Sequence, residues 1–220
     1  MRKNWRIPVA GGRMEQLQGS VAGVVLAGGL STRMGHDKAQ LRVYGPDKPD
    51  LLARTHALLA DLLPRCWVSC RADAPRSGYA CLFDAKHDQG PAAGILAALR
   101  EAKAQGFAAV LALSCDMPLM DTPTLRRLLE ARAAAPAGTL ATLYVEAASG
   151  RPEALAAVYE TASLPLFEKW LESPGGRLNC IVPLQNQCRL PYGAEESRPF
   201  VNLNRPDDLK TVLDILGASL

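Results

Sequence analysis

The chain has 220 residues, of which 48% are hydrophobic, and its glycines and prolines are scattered along it. This length and apolar content suffice for one substantial core but not for two, so we expect a single globular domain. The formal net charge is only +3 and no run of Lys or Arg stands out, which argues against a nucleic-acid partner. No stretch approaches the roughly 20 apolar residues of a membrane span, so no membrane partner is expected either.

Residues 1–20 mix charges with glycines and lack the apolar segment of a secretory signal. We therefore expect a flexible leader over residues 1–20, followed by one domain over residues 21–220. The six cysteines show neither a CxxC pair nor the spacing of a metal finger, so reduced thiols are the simplest interpretation. These features predict a cytoplasmic location.

The first predicted strand is the apolar stretch 21–25, and it leads into a loop over residues 26–38, LAGGLSTRMGHDK. Two glycines and two cations share this loop: Gly28, Gly29, Arg33 and Lys38. The glycines let backbone N–H groups encircle an anion, while the guanidinium and the ammonium supply positive charge. The loop carries neither a P-loop nor a GxGxxG signature. It predicts a phosphate cradle suited to a triphosphate, against the alternative of a turn with solvated charges.

Beyond this loop, helical periodicity and short apolar runs alternate along the chain. Helices are predicted over 51–63, 90–105, 122–133 and 206–216, and strands over 66–70, 80–83 and 107–113. Strands with nearly continuous apolar runs are typical of parallel sheets covered on both faces. The order predicts an α/β fold, a three-layer, doubly wound and mostly parallel sheet with its site at the carboxyl ends of the strands.

Polar residues follow two of these strands directly. Asp116 comes just after the apolar run 110–113, where its carboxylate could hold Mg²⁺ beside bound phosphates. The alternative is that Asp116 only turns the chain before Pro118. Asp84 follows the strand 80–83, and residues 90–94, GPAAG, can open a helix whose N-terminal N–H groups face a nucleotide.

Two further segments carry candidate binding groups. Asn204 is predicted as the N-cap of the helix 206–216, and strand alternation would turn Asn202 and Asn204 to the same side, where both amides could reach a ligand. Arg151, in the turn before Pro152, is either solvated or a contact for an anion.

The loop 26–38 resembles the opening signature of the molybdenum cofactor guanylyltransferase family, which reads LAGG, a variable stretch, RMG and DK. Three further segments match that family: the CD-x-P element around Asp116, GPAAG for its GPLAG motif, and 200–209 for its FVNxNxPxDL signature. Two features depart from it, since residues 46–50 form a longer turn and Ser69 stands where many members have asparagine. The resemblance covers about residues 24–213.

The resemblance implies roles for these residues. The nucleotide would contact the LAGG residues, Lys38, Asp84 and Asp116, where the LAGG residues are Leu26, Ala27, Gly28 and Gly29. Lys38, Arg33 and Asp116 would be catalytic, and Asp116 would hold the Mg²⁺ cofactor. On the acceptor side the matching candidates are Arg151, Asn202 and Asn204.

The implied reaction transfers GMP from GTP to the phosphate of molybdopterin and releases pyrophosphate. The acceptor phosphate is already ionised near neutral pH, so no general base is required. GTP and molybdopterin would be the substrates, with transient contact to cofactor insertion proteins or apoenzymes. Three alternatives stay open: cytidylyl transfer to the same pterin, nucleotidyl transfer to a sugar phosphate, and a non-catalytic cofactor carrier.

Overall fold

A computed structural model of the chain describes residues 20–28, 37–83, 90–172 and 177–217. Several predicted features lie outside these residues: most of the leader 1–20, the loop residues Gly29 and Arg33, and Asp84. The strands are β1 (Val21–Leu26), β2 (Cys66–Cys70), β3 (Cys81–Phe83), β4 (Ala109–Ser114), β5 (Ala141–Glu146), β6 (Pro152–Glu160) and β7 (Gln187–Tyr192). The α-helices are α1 (Leu51–Ala60), α2 (Gly90–Ala104), α3 (Thr122–Ala133), α4 (Leu164–Glu172) and α5 (Pro206–Leu216).

Within the described residues, the seven strands form one sheet in the order β3-β2-β1-β4-β6-β5-β7. Six strands run parallel to one another, and β6 is antiparallel to both β4 and β5. The inner strands β1 and β4 are buried along their whole length, as expected for a sheet covered on both faces. The predicted mostly parallel α/β fold is confirmed.

Two apolar clusters fill the space on the two faces of the sheet. Helices α1 and α3 contribute to one cluster through Leu59 and Leu125, and helices α2 and α4 contribute to the other through Leu99 and Phe167. This is the predicted three-layer arrangement. In the described part of the chain no helix has the length and apolarity that a membrane crossing requires.

A third, smaller cluster lies beside the sheet and joins segments that are far apart in sequence. Its buried members are Val43, Leu51, Leu119, Leu203 and Val212. They come from the segment before α1, from α1 itself, from the connection after β4 and from the carboxyl-terminal segment with α5. The cluster therefore ties together the three segments that carry the predicted site residues Lys38, Asp116 and Asn204.

Candidate functional site

The carboxyl ends of β2, β1 and β4 are joined by backbone hydrogen bonds. Ala27 N–H donates to the Ser69 carbonyl at 3.0 Å, and Cys115 N–H donates to the Leu26 carbonyl at 3.3 Å. A cavity of about 100 Å³ opens at this edge, lined by Leu26, Ala27, Asp37, Lys38, Ala39, Ser114, Cys115 and Asp116. A complete small-molecule pocket holds about 300–1,000 Å³, so this cavity can take a phosphate group or a hydrated cation.

Asp116 places a carboxylate in this cavity. Its Oδ1 is buried and has no hydrogen-bond partner among the described residues. Burial raises the pKa of Asp116, while a hydrogen bond from Ser114 and the charge of Lys38 act in the opposite direction. A buried carboxylate oxygen without a donor is costly in the ionised state, and a divalent cation would compensate it. Asp116 therefore fits the predicted role of a metal ligand.

Lys38 is the first residue of a short 3₁₀ turn, Lys38–Gln40. Lys38 and the preceding Asp37 both line the cavity. Asp37 caps this turn, because its Oδ1 accepts a hydrogen bond from Ala39 N–H at 3.1 Å. The Lys38 ammonium donates to Asn204 Oδ1 at 3.4 Å. The structure therefore brings together Lys38, Asp116 and Asn204, three residues separated widely in the sequence.

The carboxyl-terminal segment differs from its prediction in two ways. Residues 201–204 do not form a strand. Strand alternation therefore cannot direct the side chains of Asn202 and Asn204 to the same side, as the sequence had predicted. Asn202 donates to the Phe200 carbonyl at 3.0 Å, whereas Asn204 accepts from Lys38. Leu203 N–H donates instead to the Asp116 carbonyl at 2.8 Å, which fixes this segment beside the cavity.

The predicted N-cap role of Asn204 is also wrong. The cap position of α5 is Arg205, and the Asp208 carboxylate accepts from the N–H groups of both Asn204 and Arg205 at 2.7 Å. Asp208 in the first turn thus satisfies the free donors of the helix start. The Asn204 side chain does not cap the helix and instead accepts a hydrogen bond from Lys38.

Helix α2 starts at the same edge and packs closely on the ends of β1 and β2. Gly90 has a φ of +64°, which glycine adopts without strain. A Cβ at Gly94 would collide with the Ser69 hydroxyl and lie 3.2 Å from Leu26 Cδ2. The last glycine of GPAAG is therefore a requirement of helix-on-sheet packing.

Arg151 lies at this edge of the sheet but does not line the cavity. Its guanidinium pairs with the buried Glu153 at 3.2 Å, and Tyr192 donates to the same Glu153 oxygen at 2.7 Å. The carboxylate of Glu153 raises the pKa of Arg151. The Arg151 side chain remains 58% exposed, so its guanidinium is oriented by Glu153 and still faces solvent.

Sequence reasoning missed four residues that line the cavity, namely Asp37, Ala39, Ser114 and Cys115. Asp37 had a local signal, because an aspartate two residues before Ala39 can accept from its backbone N–H. Burial and the nearby charge of Asp116 raise the pKa of Cys115 to about 12, so this thiol stays protonated and is no nucleophile.

Residues 23–182 of the chain match the family described as the MobA-like NTP transferase domain. The chain belongs to this family. The match covers most of the described fold from β1 to the residues before β7. The match confirms the family that the sequence motifs indicated, and it confirms that the chain is a nucleotidyltransferase.

Named relatives of this MobA-like chain agree with the family. A molybdenum cofactor guanylyltransferase of Acidiphilium cryptum is 34% identical over 188 residues, which are 84% of this chain and 90% of that protein. A molybdenum cofactor biosynthesis bifunctional protein of Synechocystis is 30% identical over 208 residues, 92% of this chain. The chain spans 56% of the length of that bifunctional protein.

A solved structure shares the fold of the MobA-like chain. The molybdopterin-guanine dinucleotide biosynthesis protein A of Archaeoglobus fulgidus superposes with a TM-score of 0.70 at 24% identity. The alignment covers 89% of this chain and 98% of that protein. At this identity the likeness concerns the fold alone.

Proposed function

We propose that this chain transfers GMP from GTP to the phosphate of molybdopterin and releases pyrophosphate. The observation that carries the proposal is the meeting of Lys38 and Asp116 at one small cavity on the carboxyl ends of β1 and β4. Ligands of doubly wound sheets bind at this edge. The 34% identity to a guanylyltransferase supports the choice of nucleotide and acceptor.

The nucleotide phosphates would bind at the end of β1. Leu26 and Ala27 line the cavity with Lys38, and Gly28 continues the chain from them. The Lys38 ammonium is a compact charge that can follow a phosphate as its geometry changes during the reaction. Contacts of Gly29, Arg33 and Asp84 with the nucleotide remain predictions, because these residues lie outside the described parts of the chain.

Asp116 would hold Mg²⁺ through its buried carboxylate. The described residues contain no group of three or more His, Cys, Asp or Glu side chains that could bind a metal, so the substrate phosphates would have to supply further oxygen ligands. When bound, Mg²⁺ neutralises negative charge that develops on the phosphates. The raised pKa of Asp116 would fall on metal binding, because a neighbouring cation favours the carboxylate.

The chemical step needs positioning and charge stabilisation more than acid–base catalysis. An oxygen of the acceptor phosphate forms a bond to the α-phosphorus, and the bond from that phosphorus to the bridging oxygen of the β-phosphate breaks. Pyrophosphate leaves with the electron pair, and Lys38 stabilises its charge. The acceptor oxygen is already ionised, so no side chain has to remove a proton. The neutral Cys115 agrees with direct transfer rather than a covalent enzyme intermediate.

The acceptor would bind on the side of β6 and the carboxyl-terminal segment. Arg151 is held by Glu153 and exposed to solvent, and such a cation suits a phosphate of the pterin. Asn204 contacts Lys38 and would connect the acceptor side with the nucleotide side, while Asn202 is a weaker candidate because its amide is engaged locally. Transient contacts with cofactor insertion proteins or apoenzymes and a cytoplasmic location complete the proposal.

The test is release of pyrophosphate from GTP, CTP, ATP and UTP, with Mg²⁺ and either molybdopterin or a sugar phosphate, by the wild type and by Lys38→Ala and Asp116→Ala. Nucleotide binding is measured in parallel by calorimetry. We expect turnover with GTP that both variants lose. Lys103→Ala is the matched control, because Lys103 is exposed at the far end of α2, away from the cavity. Turnover with CTP would assign cytidylyl transfer, and turnover only with a sugar phosphate would assign that acceptor. Binding without turnover would favour the carrier.

A further inference from the structure

In the connection between β2 and β3, the side chain of one arginine, Arg76, points into the protein. Residues 72–75, 77 and 78 are exposed, but the side chain of Arg76 is only 15% exposed. Its carbonyl accepts hydrogen bonds from Tyr79 N–H and from the Cys81 thiol, both at 3.3 Å. The backbone around Arg76 is thereby anchored, and its guanidinium extends towards the cavity.

The guanidinium of Arg76 binds Asp37, the cavity residue next to Lys38. Arg76 Nη1 donates to Asp37 Oδ2 at 2.5 Å, and Nη2 lies 3.5 Å from the Ala27 carbonyl. Both oxygens of Asp37 are therefore in use, since Oδ1 caps the turn that presents Lys38. The chain of contacts runs from Arg76 through Asp37 to the first residue of that turn.

The same contacts argue against direct binding of substrate by Arg76. Its two terminal nitrogens are directed to Asp37 and Ala27, and its Nε is buried and has no partner in the described parts of the chain. Asp37, by contrast, lines the cavity. Without a compensating cation its carboxylate would place a negative charge beside the phosphates.

We infer that Arg76 is a positioning residue of the transfer reaction: it neutralises Asp37 and fixes the turn from which Lys38 reaches the phosphates. The inference rests on the proposed function, because it assigns Lys38 to the triphosphate. It concerns a residue from a different connection of the sheet, which no motif in the sequence marks.

The experiment compares Arg76→Met, Arg76→Lys and Asp37→Asn with the double variant Arg76→Met/Asp37→Asn. For each, kcat and KM for the nucleotide and the melting temperature are measured. We expect Arg76→Met to lower kcat/KM by about 10- to 100-fold, since a displacement of about 1 Å at a catalytic group can cost about 100-fold. Arg76→Lys should recover part of the loss because it keeps the charge.

The double variant is the decisive arm. Removal of the Asp37 charge should restore most of the nucleotide affinity that Arg76→Met loses, because no uncompensated carboxylate then faces the phosphates. Equal losses in both backgrounds would mean that Arg76 acts independently of Asp37, and this would overturn the inference. A lowered melting temperature with unchanged kcat and KM would show a purely structural role and would overturn it as well.

Arg71→Met is the matched control, because Arg71 belongs to the same connection and forms a more exposed pair with Asp73. Its kcat/KM should equal that of the wild type. A wild type that turns over none of the four nucleotides refutes the proposed function itself. An active wild type with an unaffected Arg76→Met variant refutes only the inference about Arg76.

Discussion

Gly94→Ala tests whether close packing of α2 on the sheet maintains the site. The added Cβ would overlap the Ser69 hydroxyl and lie 3.0 Å from Ser69 Cβ and 3.2 Å from Leu26 Cδ2. Ser69 and Leu26 are both buried, so neither can move away freely. Overpacking of this severity costs about 3 kcal/mol, and the better helix propensity of alanine returns about 1 kcal/mol. The net loss of about 2 kcal/mol corresponds to a melting temperature lower by roughly 4–8 °C.

Circular dichroism melts and urea titrations measure this loss, with two companion variants. Gly193→Ala is the control, because Gly193 has a φ of −96° and nothing lies within 4 Å of a Cβ built there. In the double variant Gly94→Ala/Ser69→Ala the nearest atom is gone, so part of the loss should be recovered. Gly94→Ala with wild-type stability, or strictly additive effects in the double variant, would refute the packing argument.

Three further changes test individual contacts. Asp116→Asn in a metal-free buffer should raise the melting temperature at neutral pH, because burial raises the pKa of Asp116 in the folded state and its ionised form therefore costs stability. This gain should shrink as the pH falls through the folded pKa. It should vanish below the pKa of the unfolded chain, about 3.9. Leu203→Ala should cost about 2–5 kcal/mol in urea unfolding, since Leu203 is fully buried in the third cluster. Asn204→Ala should lower turnover roughly fivefold with little change in the melting temperature, because it removes one exposed hydrogen bond of Lys38.

The sequence allowed accurate prediction where local signals and burial agree. Helix α3 has the predicted bounds, because Asp121 caps it and Pro123 opens its first turn. Helix α5 also has the predicted bounds and ends before Gly217, whose φ is +63°. Helix α1 ends at Ala60, earlier than predicted, although Leu62 and Leu63 continue the apolar pattern and are buried.

Tertiary contacts decided the elements that the sequence did not reveal. The alanine-rich β6 carries no strong strand propensity, and its pairing with β4 and β5 makes it a strand. The alternation of Asn202, Leu203 and Asn204 suggested a strand, but Leu203 is buried in the third cluster rather than in a ladder. The contact between Arg76 and Asp37 joins residues 39 positions apart, and no local sequence pattern predicts it.

The direction of β6 determines at which edge of the sheet Arg151 lies. Because β6 is antiparallel to β4, with Ala156 opposite Leu113, its first residues extend past the carboxyl end of β4. Arg151 lies five residues before Ala156, or about 17 Å along an extended strand, beyond the level of Leu113. Asp116 lies at the same edge but closer to the sheet, since it follows Leu113 by only three residues. A parallel β6 would have placed Arg151 at the opposite edge. The observed direction places the cation held by Glu153 at the same edge as the cavity of Lys38 and Asp116, as the proposed transfer between two bound substrates requires.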